Sequence, residues 1–240
     1  TIPDFPKLLR LGTKQIIEEI EHGLKTNGAD NEKRNTLRAM MLCLEGINAY
    51  ARNLANQALD GAERETDPLR KAELKRLSEI CKKIPENPAE TLDEAVNAVW
   101  IVWVALHMEN TNAGLSIGRL DQWFQPYFEA DMAKITTDDE RQSYIERAIE
   151  LIGCFYMRCT DHLPLVPDIG NYLFGGSSSD QVITLGGVKP DGEDAVNDMT
   201  YIFLKVTEIL GIRDPNVNAR YNPDKNSETY LKRLCEVNYI

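Results

Sequence analysis

LSIGRLDQ, residues Leu115–Gln122, is the most distinctive segment of this 240-residue chain. It follows an apolar stretch, Leu92–Met108, which opens with Thr91 and Glu94 at the spacing of an N-terminal capping box. Apolar side chains fall on nearly every side of that stretch, so we predict a central helix that is buried on most sides. A turn containing a glycine and two opposite charges then follows the helix.

The residues before this segment have the apolar periodicity of helices. We predict a first helix that opens at Pro6 and stops at Asn27-Gly28, and a long second helix over about residues 33–59. A third helix begins at Asp67-Pro68, because aspartate suits the N-cap and proline suits the first helical position. The first half of the chain is therefore predicted to be helical.

Two further helices are predicted after the segment, one around Trp123 and one from about Asp138 to Met157. Thr137 and Glu140 form a second capping-box pair for the latter. About twenty residues rich in proline, glycine and serine follow. An irregular stretch of that length is uncommon in a compact domain unless it covers or lines something, so we expect a loop beside a pocket.

The last quarter of the chain alternates between strand and helix patterns. Gln181–Val188 is β-branched and apolar, a helix capped by Asp194 follows, Asn216–Tyr221 is extended, and Asn226–Tyr239 is a final helix. A strand, a helix and a strand of these lengths form a βαβ unit, whose strands are parallel. We therefore predict an α/β fold that is mainly helical over residues 1–160, with a loop and a βαβα portion over residues 161–240.

Active sites of parallel sheets lie at the C-terminal ends of the strands. This rule places Gly186, Gly187, Arg220 and Tyr221 at the functional rim. Alternation along the second strand puts Asn216, Asn218 and Arg220 on one face and the intervening residues on the other.

Three segments together resemble the glycyl radical enzymes of the pyruvate formate-lyase-like superfamily: Pro88–Ala95 (PAETLDEA), Leu115–Gln122, and Thr184–Val188 (TLGGV). The resemblance covers nearly the whole chain and is closer to the dehydratase-type members than to pyruvate formate-lyase itself. It implies a barrel of about ten strands, to which this chain contributes the helix-rich N-terminal part and the first β/α units. Neither a thiyl-forming Gly-Cys-Val-Glu type loop nor a radical-bearing Arg-Val-x-Gly-Tyr type loop occurs in the sequence. We therefore expect an incomplete domain that has no catalytic residue and is inactive alone.

The resemblance implies an anaerobic reaction on a small polar substrate by hydrogen abstraction, with a dehydratase or lyase as the first choice. Formate acetyltransferase-type C–C lysis and decarboxylation are the alternatives within the superfamily, and a noncatalytic helical scaffold is the alternative outside it. The glycyl radical would be formed in a C-terminal part by an activase that uses S-adenosylmethionine and an iron–sulfur cluster. This chain is expected to bind no cofactor and no metal itself.

The substrate-pocket candidates are polar side chains close to the glycine-containing turns: Asn112, Ser116, Arg119, Asp121, Asp180, Thr184 and Arg220. In dehydratase-type members, a similar Asn-Gly-His-Ser segment contributes a hydroxyl and an imidazole to the pocket. Here Ser116 is the candidate hydroxyl, and the imidazole is absent, because Ala113-Gly114-Leu115 stands in that place.

Two of these assignments leave alternatives open. Arg119 and Asp121 either form a polar pocket wall or anchor their own turn as an ion pair. Arg220 either holds a substrate carboxylate bidentately or pairs with an acid such as Glu193 or Asp194. Asn197, near the start of a helix, is expected to cap it.

Composition excludes several other functions. The chain has 27 Lys and Arg against 38 Asp and Glu, a net charge of −11 that does not favour nucleic acid. Its longest apolar run, Ala98–Leu106, is too short to span a membrane. Five scattered cysteines indicate reduced thiols and a cytoplasmic protein. A half-built sheet with an unpaired edge predicts a homo-oligomer.

Overall fold

The computed structural model describes residues 3–26, 30–109, 115–161 and 181–239. The chain divides into two compact units, Asp4–Leu106 and His107–Ile240, the second together with residues 1–3. Four helices begin in the first unit: α1 (Phe5–Thr26), α2 (Asn31–Arg64), α3 (Pro68–Lys83) and α4 (Leu92–Glu109).

Helix α3 begins at its predicted cap, whereas α2 begins earlier than predicted, at a cap that the sequence analysis did not name. Asp30 caps α2 by accepting hydrogen bonds from the amides of Glu32 and Lys33 at 3.0 and 3.1 Å, so this helix starts before residue 33 and extends beyond residue 59. Asp67 caps α3 through the amide of Leu69 at 2.9 Å, with Pro68 in the first turn. The helical first half is thus confirmed.

Helix α1 differs from the prediction because it is interrupted at Gly12, whose φ is 69°. The amides of Thr13 and Lys14 donate to the carbonyls of Pro85 and Glu86 at 2.8 and 3.0 Å. A side chain at position 12 would collide with the backbone of the segment that contains these carbonyls. Glycine therefore permits the close approach of two chain segments.

Helix α4 is buried on most sides, as the sequence predicts. Ala95, Val99 and Trp103 are all fully buried. The Thr91 hydroxyl caps the helix by accepting a hydrogen bond from the amide of Glu94 at 3.3 Å. The Glu94 carboxylate turns back to the amide of Glu90 at 2.8 Å, so the reciprocal bond of the capping box goes to the residue before the predicted one.

The second unit contains a small sheet and its helices: β1 (Ser116–Gly118), α5 (Leu120–Met132), α6 (Asp138–Asp161), β2 (Val182–Gly186), α7 (Asp198–Leu210), β3 (Asn216–Arg220) and α8 (Glu228–Asn238). The strand order is β1-β2-β3, and both pairs are parallel. The predicted βαβ unit is confirmed as β2-α7-β3. The sequence did not predict β1, since three residues in a glycine-containing turn carry no strand periodicity.

The expected cap at Asn197 is confirmed, and the one predicted at Asp194 is wrong. Asn197 caps α7 and forms a capping box with Thr200 through bonds of 2.9 and 3.1 Å. Helix α8 begins at Glu228, later than predicted, and Ser227 caps it through the amide of Tyr230 at 3.2 Å. Asp194 is a polar residue shortly before a helix, which is why sequence alone mistook it for the cap.

The core of the second unit lies between the sheet and its helices. Helix α5 packs against β2, and α7 packs against both α5 and α6. The rings of Phe124 and Phe203 stack at 6.3 Å, and both side chains are fully buried. No helix among the described residues is long and apolar enough to cross a membrane. Homo-oligomerisation stays a prediction.

Candidate functional site

The two faces of the sheet differ sharply in burial. Ile117, Ile183 and Leu185 are fully buried on one face. Val182 and Thr184, which alternate with them on β2, are only half-buried on the other face. Because the strands are parallel, paired residues of neighbouring strands present their side chains on the same face, although a bulge between Ser116 and Gly118 shifts the register of β1.

The register brings the polar candidates of three strands onto this less buried face. Ser116 is paired with Val182, and on the other side Val182, Thr184 and Gly186 are paired with Asn216, Asn218 and Arg220. We call the surface formed by Ser116, Thr184, Asn216, Asn218 and Arg220 the polar face. The side-chain amide of Asn218 donates to the side-chain oxygen of Asn216 at 3.1 Å, which is consistent with both side chains lying on the same side of β3.

Three side chains of the polar face have unused hydrogen-bonding capacity. Within the described ranges, the hydroxyls of Ser116 and Thr184 and the guanidinium of Arg220 make no side-chain hydrogen bond. Ser116 and Thr184 are half-buried, and Arg220 is exposed. All three were selected from the sequence, and they come together on one surface.

Arg119 and Asp121 instead hold the turn that follows β2. The Arg119 guanidinium donates to the carbonyls of Gly186 and Val188 at 2.5 and 3.0 Å. The Asp121 carboxylate accepts from the amide of Gly186 at 2.8 Å. These bonds span both sides of the same turn, which we call the rim turn (Gly186–Val188). Among the described residues Arg119 and Asp121 form no ion pair with each other, so they hold the turn after β2 and not their own turn.

Asp121 is a fully buried carboxylate with a full set of donors. Besides the amide of Gly186, the Thr200 hydroxyl and the amide of Gln122 each donate to it at 2.8 Å. Burial raises the pKa of Asp121, and these hydrogen bonds and the charge of Arg119 act against that rise. The buried Asp121 side chain therefore fixes the end of β2.

The acids suggested as partners of Arg220 are occupied elsewhere. Asp194 accepts from the side-chain amide of Asn226 at 2.6 Å, and Glu193 pairs with Lys225 at 3.3 Å. The Asn226 amide also donates to the carbonyl of Gly187 at 2.7 Å. The predicted pairing of Arg220 with Glu193 or Asp194 is therefore not what the structure contains.

Two residues of the rim escaped the sequence analysis. Asn226 and Tyr230 were predicted only to belong to the final helix, with no role of their own. Tyr230 is fully buried, its ring lies against Gly186, and its hydroxyl has no partner among the described residues. Burial raises the pKa of this phenol. No local sequence pattern identifies this tyrosine, because its burial depends on packing against Gly186 of β2, which is distant in the chain.

Two of the pocket candidates, Asn112 and Asp180, lie outside the described residues. A groove of about 470 Å³ is formed on α5, α6 and α7 by residues that include Phe128, Arg141 and Tyr201. It contains none of the pocket candidates.

Comparison with known proteins identifies the family. The Pyruvate formate lyase-like family matches residues 1–239. The chain belongs to this family. The resemblance seen in three short segments is therefore confirmed over nearly the whole length.

Relatives of the chain include a sulfite-lyase, dehydratases and a decarboxylase subunit. Isethionate sulfite-lyase from Nitratidesulfovibrio vulgaris is 35% identical over 98% of this chain. Trans-4-hydroxy-L-proline dehydratase from Clostridioides difficile is 30% identical over 96% of it. The alignments cover 28% and 29% of those relatives, so this chain spans less than a third of their length.

Solved structures confirm the fold. A glycyl radical enzyme from Archaeoglobus fulgidus matches 98% of the chain with a TM-score of 0.85 and 34% identity. The glycerol-bound form of the B12-independent glycerol dehydratase from Clostridium butyricum matches 98% with a TM-score of 0.87 and 29% identity. The chain covers 30% and 29% of these structures. Its helix-rich α/β architecture is that of glycyl radical enzymes.

Proposed function

We propose that the protein to which this chain belongs is a glycyl radical lyase or dehydratase that eliminates a group from a small hydroxylated substrate without oxygen. The polar face carries this proposal: Ser116, Thr184 and Arg220 present unused hydrogen-bonding groups on one side of a parallel sheet. Parallel sheets of α/β enzymes commonly place their ligands at the C-terminal strand ends, where Arg220 and the rim turn lie. Relatives named sulfite-lyase and dehydratase support elimination as the reaction class.

The residues of this chain would bind and orient the substrate. The hydroxyls of Ser116 and Thr184 can each donate to or accept from a substrate hydroxyl. Arg119 and Asp121 would act indirectly and would not contact the substrate, because their bonds to the rim turn fix the backbone that borders the polar face. Asn112 and Asp180 remain proposed pocket residues on sequence grounds.

A glycyl radical would supply the hydrogen abstraction in the full-length protein. It would be installed by an activating enzyme that uses S-adenosylmethionine and an iron–sulfur cluster, and this enzyme is the proposed protein partner. The 240 residues contain neither of the radical loops, so they contribute the wall of the pocket and no step of radical transfer. The five cysteines form no disulfide, which supports a proposed cytoplasmic location.

Electron paramagnetic resonance tests this function. The full-length protein, activated without oxygen, should show a carbon-centred doublet, and it should convert isethionate, trans-4-hydroxy-L-proline or glycerol. The proposal would be rejected if the activated protein shows no doublet and converts none of these compounds. The 240-residue chain treated in the same way is the matched control, and it should show no doublet.

A further inference from the structure

The groove on α5, α6 and α7 has a largely apolar lining. It includes the side chains of Phe128, Met132, Ile145, Tyr201 and Ile202, which come from all three helices. Phe128 and Ile202 are buried and give the groove an apolar floor, whereas Tyr201 is 37% exposed. Aromatic residues and methionine are enriched in the cores of protein–protein interfaces. A groove of this composition between helices suits the apolar face of an amphipathic helix.

Two carboxylates lie beside these apolar side chains. The side-chain amide of Gln125 donates to Glu129 and to Asp198, at 2.9 Å in each case, and both acids line the groove. The side-chain oxygen of Gln125 accepts from the amide of Met199 at 3.0 Å, which fixes this side chain between α5 and α7. One neutral amide nitrogen therefore holds two like charges next to each other.

The described part of the chain does not neutralise these two charges. Neither Glu129 nor Asp198 forms an ion pair there, and both residues are exposed. Like charges held this close repel each other, and a cation placed between them would be attracted by both. A lysine or arginine side chain supplies such a cation, and its apolar stem can lie along the groove.

The charge around the groove favours a basic partner over a second copy of this chain. The first turn of α6 contains Asp138, Asp139 and Glu140, and the whole chain has a net charge of −11. Arg141 lines the groove as well, but the acids outnumber it. Two copies that met through this surface would bring acids against acids, whereas a basic segment gains electrostatic attraction.

We propose that the groove on α5, α6 and α7 is a docking site for a basic amphipathic helix of a partner protein. The apolar face of that helix would fill the groove, and a lysine or arginine beside this face would bind Glu129 and Asp198 together. The proposal goes beyond the proposed function, because none of the substrate-pocket candidates lines the groove. It concerns recognition of another protein and no step of the reaction.

Fluorescence anisotropy with the unactivated full-length protein tests this docking site at about 0.15 M salt. The probe is a labelled helical peptide of about 15 residues, with leucines along one face and lysines beside them. A peptide of the same composition in scrambled order lacks the apolar face. The test protein is the double variant Glu129→Gln with Asp198→Asn. The matched control is Glu146→Gln with Glu150→Gln, which removes two exposed acids of α6 that do not line the groove.

The wild type should bind the helical peptide about tenfold or more tightly than the scrambled peptide. The Glu129 and Asp198 double variant should weaken this binding by about tenfold or more, because both attracting charges are lost. The control should change it by less than about threefold. Arg141→Gln, which removes a positive charge from the groove, should bind the peptide at least as tightly as the wild type does.

Three results would overturn the inference. No preference for the helical over the scrambled peptide would mean that the groove is not open to a partner, as when the rest of the full-length protein covers it. Equal weakening in the two double variants would mean that the peptide responds only to overall charge. A change in oligomeric state in Glu129→Gln with Asp198→Asn, measured by sedimentation, would assign the groove to contact between copies.

Discussion

The carboxylate of Asp121 accepts a 2.8 Å hydrogen bond from the backbone amide of Gly186, a residue 65 positions further along the chain. This bond joins the start of α5 to the end of β2. The same carboxylate oxygen accepts from the Thr200 hydroxyl on α7. One buried side chain therefore ties a strand end to the helix that follows it.

Asp121→Ala should lower the free energy of unfolding by about 2 to 4 kcal/mol, because two buried donors would each lose their acceptor. Urea unfolding followed by circular dichroism measures the change. Asp224→Ala, which removes an exposed carboxylate from the same unit, is the control and should change stability little. A loss for Asp121→Ala no larger than the control would show that the donors find other partners.

The polar face offers a second prediction, for the full-length enzyme. Ser116→Ala and Thr184→Val should each raise KM about fivefold, the effect of losing one hydrogen bond of about 1 kcal/mol. Folding should change little, since neither hydroxyl bonds another described residue. Ser143→Ala removes an exposed hydroxyl from α6 and serves as the control. Unchanged kinetics in both face variants would remove these residues from the site.

The sequence analysis selected the residues of the polar face but did not predict the hydrogen bonds around it. Strand periodicity at residues 216–220 predicts which side chains share a side of β3, because alternation is a local property. The hydrogen bond from Asn226 to Asp194, by contrast, joins residues that are 32 positions apart. Such long-range bonds leave no periodic trace. The same reason hid β1, whose three residues become a strand only by pairing with β2.

The ion pair between α7 and α8 should make stability depend on pH. Arg233 and then Lys205 hold the pKa of Glu208 at about 2, below its ordinary value of 4.5. Arg233 donates to both oxygens of Glu208, at 2.8 and 3.1 Å. Because the folded pKa is depressed, the stabilisation is fully present above about pH 4.5 and is lost as the pH falls towards 2.

Unfolding of the wild type and Glu208→Gln in urea at several pH values measures this dependence. The variant should be less stable at pH 6, and the difference should shrink steadily below pH 4.5. Glu150→Gln breaks a pair within a single helix and is the control. A difference between wild type and Glu208→Gln that stays constant from pH 6 to pH 3 would contradict the assignment.

The cysteines should separate into two classes of reactivity. Cys43, Cys154 and Cys235 are exposed, whereas Cys81 and Cys159 are buried. Burial also raises the pKa of Cys81 to about 11, which removes its thiolate at neutral pH. An aromatic disulfide reagent at pH 8 should label three thiols quickly in the folded chain and five after denaturation. Cys154→Ser should lower the fast count to two, and Cys81→Ser should leave it at three.

Replacing Tyr230 should stabilise the protein, whereas most substitutions lower the free energy of unfolding. Its hydroxyl is fully buried against Gly186 and has no partner among the described residues, so the folded state bears the cost of removing it from water. Tyr230→Phe should therefore raise the free energy of unfolding by about 1 kcal/mol. Urea unfolding is the measurement.

Tyr156→Phe is the matched control for Tyr230, because Tyr156 is equally buried but its hydroxyl lies 3.5 Å from that of Thr207. That substitution should lower stability by up to about 1 kcal/mol, since it removes a long hydrogen bond. The two variants lose the same atom, so the contrast in sign isolates the effect of a partner. If Tyr230→Phe is instead destabilising by as much as Tyr156→Phe, the Tyr230 hydroxyl has a hydrogen-bond partner in solution.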